Sequence, residues 1–253
     1  MSEPLSSLSP TRRFADRASD YALFRPSYPR EAIDALLEGV KTADNLTAAD
    51  IGAGTGISSR LLADRGVRVF AVEPNAAMRD GAEAHERVSF IDGTAEATSL
   101  PDGSVDIVLC AQAFHWFKPE AAIAEFRRIL KANGRLALMI NERDDGDPAT
   151  RAYNAAIRNA AERELSEGMR DSIEAALVAA ALPVNPRVFP YSQRLTRDGL
   201  VGRARSASYV PKEGPRYEQM LRDLEAMWSA YREPDGRISL GYRTFVWIVP
   251  RPV

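Results

Sequence analysis

The sequence predicts an α/β protein built on a mostly parallel, seven-stranded sheet with helices on both faces. Three observations predict it. From Leu46 to Ile140, short apolar runs alternate with stretches whose apolar residues recur at helical spacing. The first of those runs ends in a turn with glycine at alternate positions, Gly52, Gly54 and Gly56. Two later β-rich runs, Arg187–Leu195 and Ile238–Val249, complete the strand set. Apolar strands alternating with amphipathic helices imply βαβ crossovers, and therefore parallel pairing.

Taken in order, Met1–Arg12 reads as a flexible lead. Phe14, Tyr21, Phe24, Arg25 and Tyr28, with Pro26 and Pro29, then gather aromatics and an arginine ahead of a helix. This segment either packs onto the sheet or, over residues 1–28, forms a helical lid in which Tyr21, Arg25 and Tyr28 keep water from a reacting centre. Pro29 in the first turn and Gly39 past the last bound a helix over Pro29–Glu38, with Ile33, Leu36 and Leu37 inward. Strand Thr47–Ile51 leads to helix Ile57–Arg65, stopped by Gly66. Strand Val67–Val72 leads to helix Asn75–Glu83, and strand Val88–Asp92 to a loop. Strand Val105–Cys110 leads to helix Pro119–Lys131, which Asn133-Gly134 ends before strand Arg135–Ile140. In that helix Ile123, Phe126, Ile129 and Leu130 recur at helical spacing and face the sheet.

After Ile140 the rhythm changes. Asn141–Asp147 is a polar, acidic loop. Two alanine-rich helices, Pro148–Leu165 and Arg170–Leu182, form a helical insertion after the fifth strand, about residues 148–182, that covers the strand tips. Prolines at 183, 186 and 190 interrupt the chain around the sixth strand, and Asp198–Arg205 is a short helix. The longer helix Pro215–Tyr231 carries Met220, Leu221, Leu224, Met227, Trp228 and Tyr231 on one stripe. Ile238–Val249 is expected to pair antiparallel at the sheet edge. With no internal repeat, residues 1–253 read as one domain.

Ligands of such sheets bind beyond the carboxyl ends of the strands, where Gly52, Glu73, Asp92 and Ala111 fall. A dinucleotide fold would place a third glycine three positions after the second. Here it comes two positions after, and Asp50 sits directly before the turn. A carboxylate there suits a cation such as an amino-acid ammonium rather than a pyrophosphate. Glu73, at the end of the next strand, can accept hydrogen bonds from both ribose hydroxyls. A ligand with an amino-acid end and a ribose end is S-adenosylmethionine.

The D-x-G-x-G-x-G pattern of Asp50–Gly56, with the later acid Glu73, resembles the class I S-adenosylmethionine-dependent methyltransferases. The resemblance implies a Rossmann-like fold and a cofactor seat at Asp50, Gly52, Gly54, Thr55, Gly56 and Glu73. Pro74 and Met78 adjoin it, Gly93, Thr94 and Ala95 lie at the adenine end, and Ala111, Gln112 and Ala113 overhang it from the fourth strand. Ala111–Phe117 (AQAFHWF), together with Phe14–Pro29 and Ser206–Tyr209, resembles the small-molecule branch that includes trans-aconitate methyltransferase. Many relatives in that class carry an acid at the place of Thr94, where this sequence departs from the family pattern.

Bulk properties set limits. The 33 basic and 35 acidic residues nearly balance, which gives no electrostatic case for nucleic acid or an anionic membrane. Hydrophobic residues make up 45% of the chain, enough for a sizeable core. Cys110 is the only cysteine, so no internal disulfide is possible and a reducing compartment is expected. The first residues lack a signal-peptide pattern, and no apolar run approaches the about 18 residues of a membrane span. A cytoplasmic monomer or homodimer acting on a small molecule is the expectation.

Several side chains could carry chemistry. His115 is either a packed residue or a general base, since its ordinary pKa lies near neutrality. An aromatic face, as at Phe114, Trp116 or Phe117, suits a sulfonium. Tyr28, Trp116, Arg203, Ser206 and Tyr209 are the candidate acceptor contacts. Guanidinium groups pair with carboxylates in bidentate fashion, which favours an acidic acceptor; the rival reading puts most of these arginines, Arg205 and Arg243 included, on solvated faces. A carboxylate or thiolate acceptor needs no base, whereas an amine or hydroxyl does. Two distant histidines and one cysteine supply no zinc set, and Asp144, Asp145 and Asp147 read as a solvated loop rather than a cation site. A hydrolase is disfavoured by the absence of a Gly-x-Ser-x-Gly elbow, an NAD-dependent oxidoreductase by the glycine spacing. A cofactor-binding protein without turnover remains the rival from another class.

Overall fold

A computed structural model describes residues 24–39, 43–161, 168–207 and 209–251. Tyr21 and the rest of the expected lid before Phe24 lie outside the described residues. Helix α1 (Arg30–Leu36) follows Pro29 and buries Ala32, Ile33, Ala35 and Leu36, while Leu37 is only half-buried. The alternation then runs β1 (Thr47–Ile51), α2 (Ile57–Ala63), β2 (Arg68–Val72), α3 (Ala76–Asp80), β3 (Val88–Ile91), β4 (Val105–Ala111), α4 (Pro119–Ile129) and β5 (Leu130–Arg143). Next come α5 (Pro148–Ala160), α6 (Met169–Ala179), β6 (Arg187–Leu195), α7 (Arg197–Arg205), α8 (Pro215–Tyr231) and β7 (Ile238–Pro250).

The strands form one seven-stranded sheet in the order β3-β2-β1-β4-β5-β7-β6. It is a mixed sheet. Pairs β3/β2, β2/β1, β1/β4 and β4/β5 are parallel, whereas β5/β7 and β7/β6 are antiparallel. The expected edge position of the last strand is corrected, because β7 lies between β5 and β6. The cause is burial on both faces: Phe245, Val246, Trp247 and Val249 all exclude water, so each side of the strand needs cover. β6 instead exposes Arg187, Val188 and Arg194 and contains Pro190, the composition of an edge.

A second correction concerns the end of α4. Asn133-Gly134 does not separate helix from strand, since β5 begins at Leu130 and the β4 register slips between Val105 and Ile107. The extra residues make a bulge. At Gly134 an added Cβ would lie 2.8 Å from the Leu130 side chain and 3.0 Å from the Lys131 carbonyl, so any side chain at this bend would have to push its neighbours aside.

Alternation along the strands builds two cores. One face packs Ile51, Cys110, Leu138 and Trp247 under α4 and α6; the other packs Ala48, Val69, Leu109 and Val246 under α1 and α2. A third core joins α5, α7 and α8 to the first half of β7 through Tyr153, Leu200, Leu224, Trp228 and Leu240. The expected insertion therefore divides, with α5 in the third core and Ile173 and Leu177 of α6 in the main one. On the α8 stripe, Met220, Leu224, Met227 and Trp228 are buried, Leu221 is half-buried and Tyr231 is exposed. Among the described residues, no helix is long and apolar enough to cross a membrane.

Candidate active site

Strand order reverses direction between β1 and β4, the switch point beyond which open α/β sheets bind their ligands. The glycine turn occupies it. Gly52, Gly54 and Gly56 all take left-handed backbone, at φ +68°, +58° and +74°. A Cβ on Gly52 would stand 2.6 Å from that of Ala113 and 3.0 Å from the Phe117 ring, so the turn meets the β4 loop with no room for a side chain.

Asp50 is wholly buried before this turn. The hydroxyls of Ser58 and Ser59 donate to its Oδ2 at 2.7 and 2.6 Å, and Oδ1 has no partner. Burial pushes its pKa up to about 6 against the serine bonds, with Glu73 adding a smaller push upward. Thr55, also buried, has an unpartnered Oγ1. Glu73 accepts the Gly54 N–H at 3.0 Å on Oε2 and the Asn75 N–H at 2.9 Å on Oε1. Burial raises its pKa, while these two amides and Arg79 pull it down. The carboxylate thus clamps the turn to the β2 tip. Pro74 is half-buried beside it, and Met78 of α3 is buried.

At the β3 tip, Thr94 and Ala97 exchange backbone hydrogen bonds of 3.1 and 3.2 Å, which buries Ala95 and leaves Thr94 exposed and Gly93 half-exposed. Glu96 is half-buried. It accepts the Lys118 N–H at 2.9 Å and ties this loop to the start of α4.

At the β4 tip, Gln112 has left-handed backbone at φ +56°, a strained state for a residue with a side chain. Two bonds hold it: its N–H donates to the Met139 carbonyl and its Nε2 to the Asn141 carbonyl, both at 2.9 Å. Ala111 and Ala113 flank it, each nearly buried. Asn141 is a three-way junction. Besides receiving Gln112, its Nδ2 donates to the Ser27 carbonyl at 2.9 Å, and its Oδ1 accepts the Thr244 hydroxyl at 2.6 Å. The Gln193 Nε2 donates to the Phe24 carbonyl at 2.9 Å, so the segment before α1 is held from two sides.

His115 stands in a 3-10 turn (Phe114–Trp116) with its ring 4.8 Å from that of Trp116. Burial, then the Arg25 charge, lower its pKa to about 4, so the imidazole is neutral near pH 7. Arg25 also bears on Tyr209 and thereby joins His115 to an arginine–tyrosine cluster. That cluster includes Arg203, which is 4% exposed. Its Nε and Nη1 reach the hydroxyls of Tyr242 and Ser206 at 3.4 and 3.3 Å. Arg143 stacks on the Tyr153 ring at 5.4 Å and hydrogen-bonds Tyr209. Burial would raise the Tyr209 pKa, but Arg143, Arg203 and Arg25 outweigh it and hold the phenol below its ordinary range.

Of the sequence candidates, the fold gathers Arg25, His115, Arg203, Ser206 and Tyr209. Trp116 is half-buried beside His115, while Tyr28 is buried in the core under α1. Arg205 and Arg243 are exposed, as the solvated-face reading has it. His85 is half-buried with its Nε2 3.5 Å from Asp64. In the acidic loop, Asp147 caps α5 by accepting the Thr150 N–H at 2.7 Å, and no metal-holding group of His, Cys, Asp and Glu occurs among the described residues. Sequence reasoning missed Asn141, Arg143, Tyr153 and Tyr242. A signal existed for Tyr153, which lies on the inward stripe of α5 with Ala149, Ala156, Ile157 and Ala160.

The fold and the turn define a class: a Rossmann-like domain with one acid ahead of a glycine turn and one at the neighbouring strand tip. Residues 49–138, from β1 into β5, match the family described as a methyltransferase domain. This chain is similar to an uncharacterized methyltransferase of Mycobacterium tuberculosis, 44% identical over 134 residues that cover 52% of this chain and 53% of that protein. An uncharacterized methyltransferase of Schizosaccharomyces pombe is 37% identical over 139 residues, covering 54% and 55%. The chain thus spans about half the length of these relatives. A solved structure described as a candidate type II methyltransferase from Anaeromyxobacter dehalogenans superposes with a TM-score of 0.66 at 25% identity, covering 90% of this chain and 98% of that one.

Proposed function

We propose that the protein transfers a methyl group from S-adenosylmethionine to a small organic acceptor, with a carboxylate ahead of other acceptor groups. The observation that carries the cofactor half is the pair of orphaned buried atoms, Asp50 Oδ1 and Thr55 Oγ1, beside a glycine turn that excludes side chains. A buried carboxylate oxygen without a partner is costly unless a ligand completes it. An ammonium suits Asp50, and the remaining lone pairs of Glu73 suit ribose hydroxyls. Bound there, S-adenosylmethionine would supply an activated methyl to the acceptor oxygen, leaving as the neutral thioether. The chain's own contribution is alignment and water exclusion, worth several kcal/mol of barrier at about this scale. Neutral His115 and the cationic Arg25 adjoin the acceptor side, and a carboxylate acceptor requires no base. Likeness of residues 111–117 to the small-molecule branch supports an acceptor of that size. The segment before α1 as a lid, a cytoplasmic setting and a monomer or homodimer belong to the same reading.

Calorimetric titration with S-adenosylhomocysteine tests the seat. Tight 1:1 binding that weakens by roughly 1–3 kcal/mol in Glu73→Ala is expected. Tighter binding of NAD would refute the assignment. Bound S-adenosylmethionine that yields no S-adenosylhomocysteine across a broad panel of small acids would favour a binding protein without turnover.

A further inference from the structure

Arg203 presents an unusual balance. It is nearly inaccessible to water, yet its guanidinium donates to two neutral hydroxyls at long range. Among the described residues, no carboxylate pairs with Arg203 or Arg143. A buried charge without a counter-charge is costly, and folded proteins rarely retain one unless something else neutralises it. A second, independent observation lies beside it. Tyr153 is completely buried and its hydroxyl has no hydrogen-bond partner. The Arg203 charge acts on the Tyr153 phenol, and Arg143 covers the Tyr153 ring. Arg143 and Tyr209 are the half-exposed members of the cluster.

We infer that Arg203, Arg143 and the Tyr153 hydroxyl form an oxyanion anchor for the acceptor, and that the group held there is not the one methylated. The inference rests on the methyl-transfer reading and sharpens its substrate class: an organic acid with a second nucleophile elsewhere in the molecule. The chemistry separates the two ends. An oxyanion that accepts bonds from two guanidinium groups and a phenol has its lone pairs committed and is a poor nucleophile. Anchored, it fixes the acceptor and leaves the other end, on the side of Arg25 and His115, to meet the donor.

Acetate is the probe, titrated against chloride at constant ionic strength, with neutral acetamide as the isostere. Saturable thermal stabilisation by acetate and none by acetamide is expected. Arg203→Met should abolish the response. Tyr153→Phe should weaken acetate binding by about tenfold, the value of one hydrogen bond to a charged group. Because it removes an unpartnered buried hydroxyl, the same change should leave the acetate-free melting temperature equal or higher, which keeps the test decisive if Arg203→Met fails to fold. Both variants should bind S-adenosylhomocysteine like the parent. An undiminished acetate response in Tyr153→Phe, an equal response to acetamide, or methyl acetate formed in the presence of S-adenosylmethionine would each overturn the anchor. Loss of S-adenosylhomocysteine binding in the parent protein, with the acetate response intact, would instead sink the methyl-transfer reading alone.

Discussion

The two halves of the strand-tip face are made differently. On the β1–β3 side the surface is backbone: three left-handed glycines, amide N–H groups, and two carboxylates whose pKa values burial raises. On the β5–β7 side it is side chain, with arginines and tyrosines drawn from β5, α5, α7, β7 and the segment before α1. A backbone seat fixes a ligand shared by many proteins, because few side chains take part and few can vary. A side-chain cluster assembled from separate elements can be altered one residue at a time, as a specificity surface must be.

The comparison breaks most readily at Gly52. Gly52→Val combines a left-handed backbone with a collision at Ala113, and a loss of roughly 2–5 kcal/mol in urea-unfolding stability is expected. S-adenosylhomocysteine binding should vanish with it. Equal stability would mean that the turn tolerates side chains and that the backbone character of this half is incidental.

Next in size are two opposed pH effects. Asp50 has its folded pKa raised from 3.8 to about 6, so the folded state holds more protons than the unfolded one in that window, and its contribution to stability falls as pH rises through it. His115 has its folded pKa lowered from 6.5 to about 4, so the unfolded state holds more protons, and its contribution grows as pH rises from about 4 to 6.5. Each slope is up to about 1.4 kcal/mol per pH unit, and they largely cancel. Asp50→Asn should therefore expose a stability that climbs with pH across 4–6.5, and His115→Gln one that declines. Unfolding midpoints at half-unit intervals would show this; slopes unchanged by either substitution would remove both assignments. An ammonium seated on Asp50 also lowers its pKa, so S-adenosylhomocysteine affinity should improve between about pH 4 and 6, and Asp50→Asn should flatten that rise.

The smallest effect belongs to Tyr242→Phe. Its hydroxyl makes only long contacts, 3.4 Å from Arg203 and 3.3 Å to Gln193, so a change of about 0.5–1 kcal/mol in stability is expected, with cofactor affinity untouched. A larger shift in cofactor binding would show that the halves communicate through this residue.

The same division explains what could be read from the chain. Asp50, the three glycines and Glu73 lie within about two dozen positions, and strand-turn-helix chemistry places them without long-range knowledge. β1, β6 and α8 match their expected bounds for similar reasons of local pattern. The β7 position did not follow, because its strong β character says nothing about which neighbour covers it. Arg203 could be named as a candidate but not separated from Arg205 and Arg243, since burial depends on the packing of α7 against β7. Asn141 gave no local signal at all: its partners Ser27, Gln112 and Thr244 are 114, 29 and 103 positions away.

Asn141 also limits how the family line can drift. Its amide is read as donor at one end and acceptor at the other, while its main-chain oxygen supports the strained Gln112. Asp has the right shape but no N–H for Ser27; Leu has the shape and neither function; Gln has both but is one carbon too long. No single exchange preserves all three bonds, so this position should stay fixed while the arginines and tyrosines around it diversify from one descendant to another.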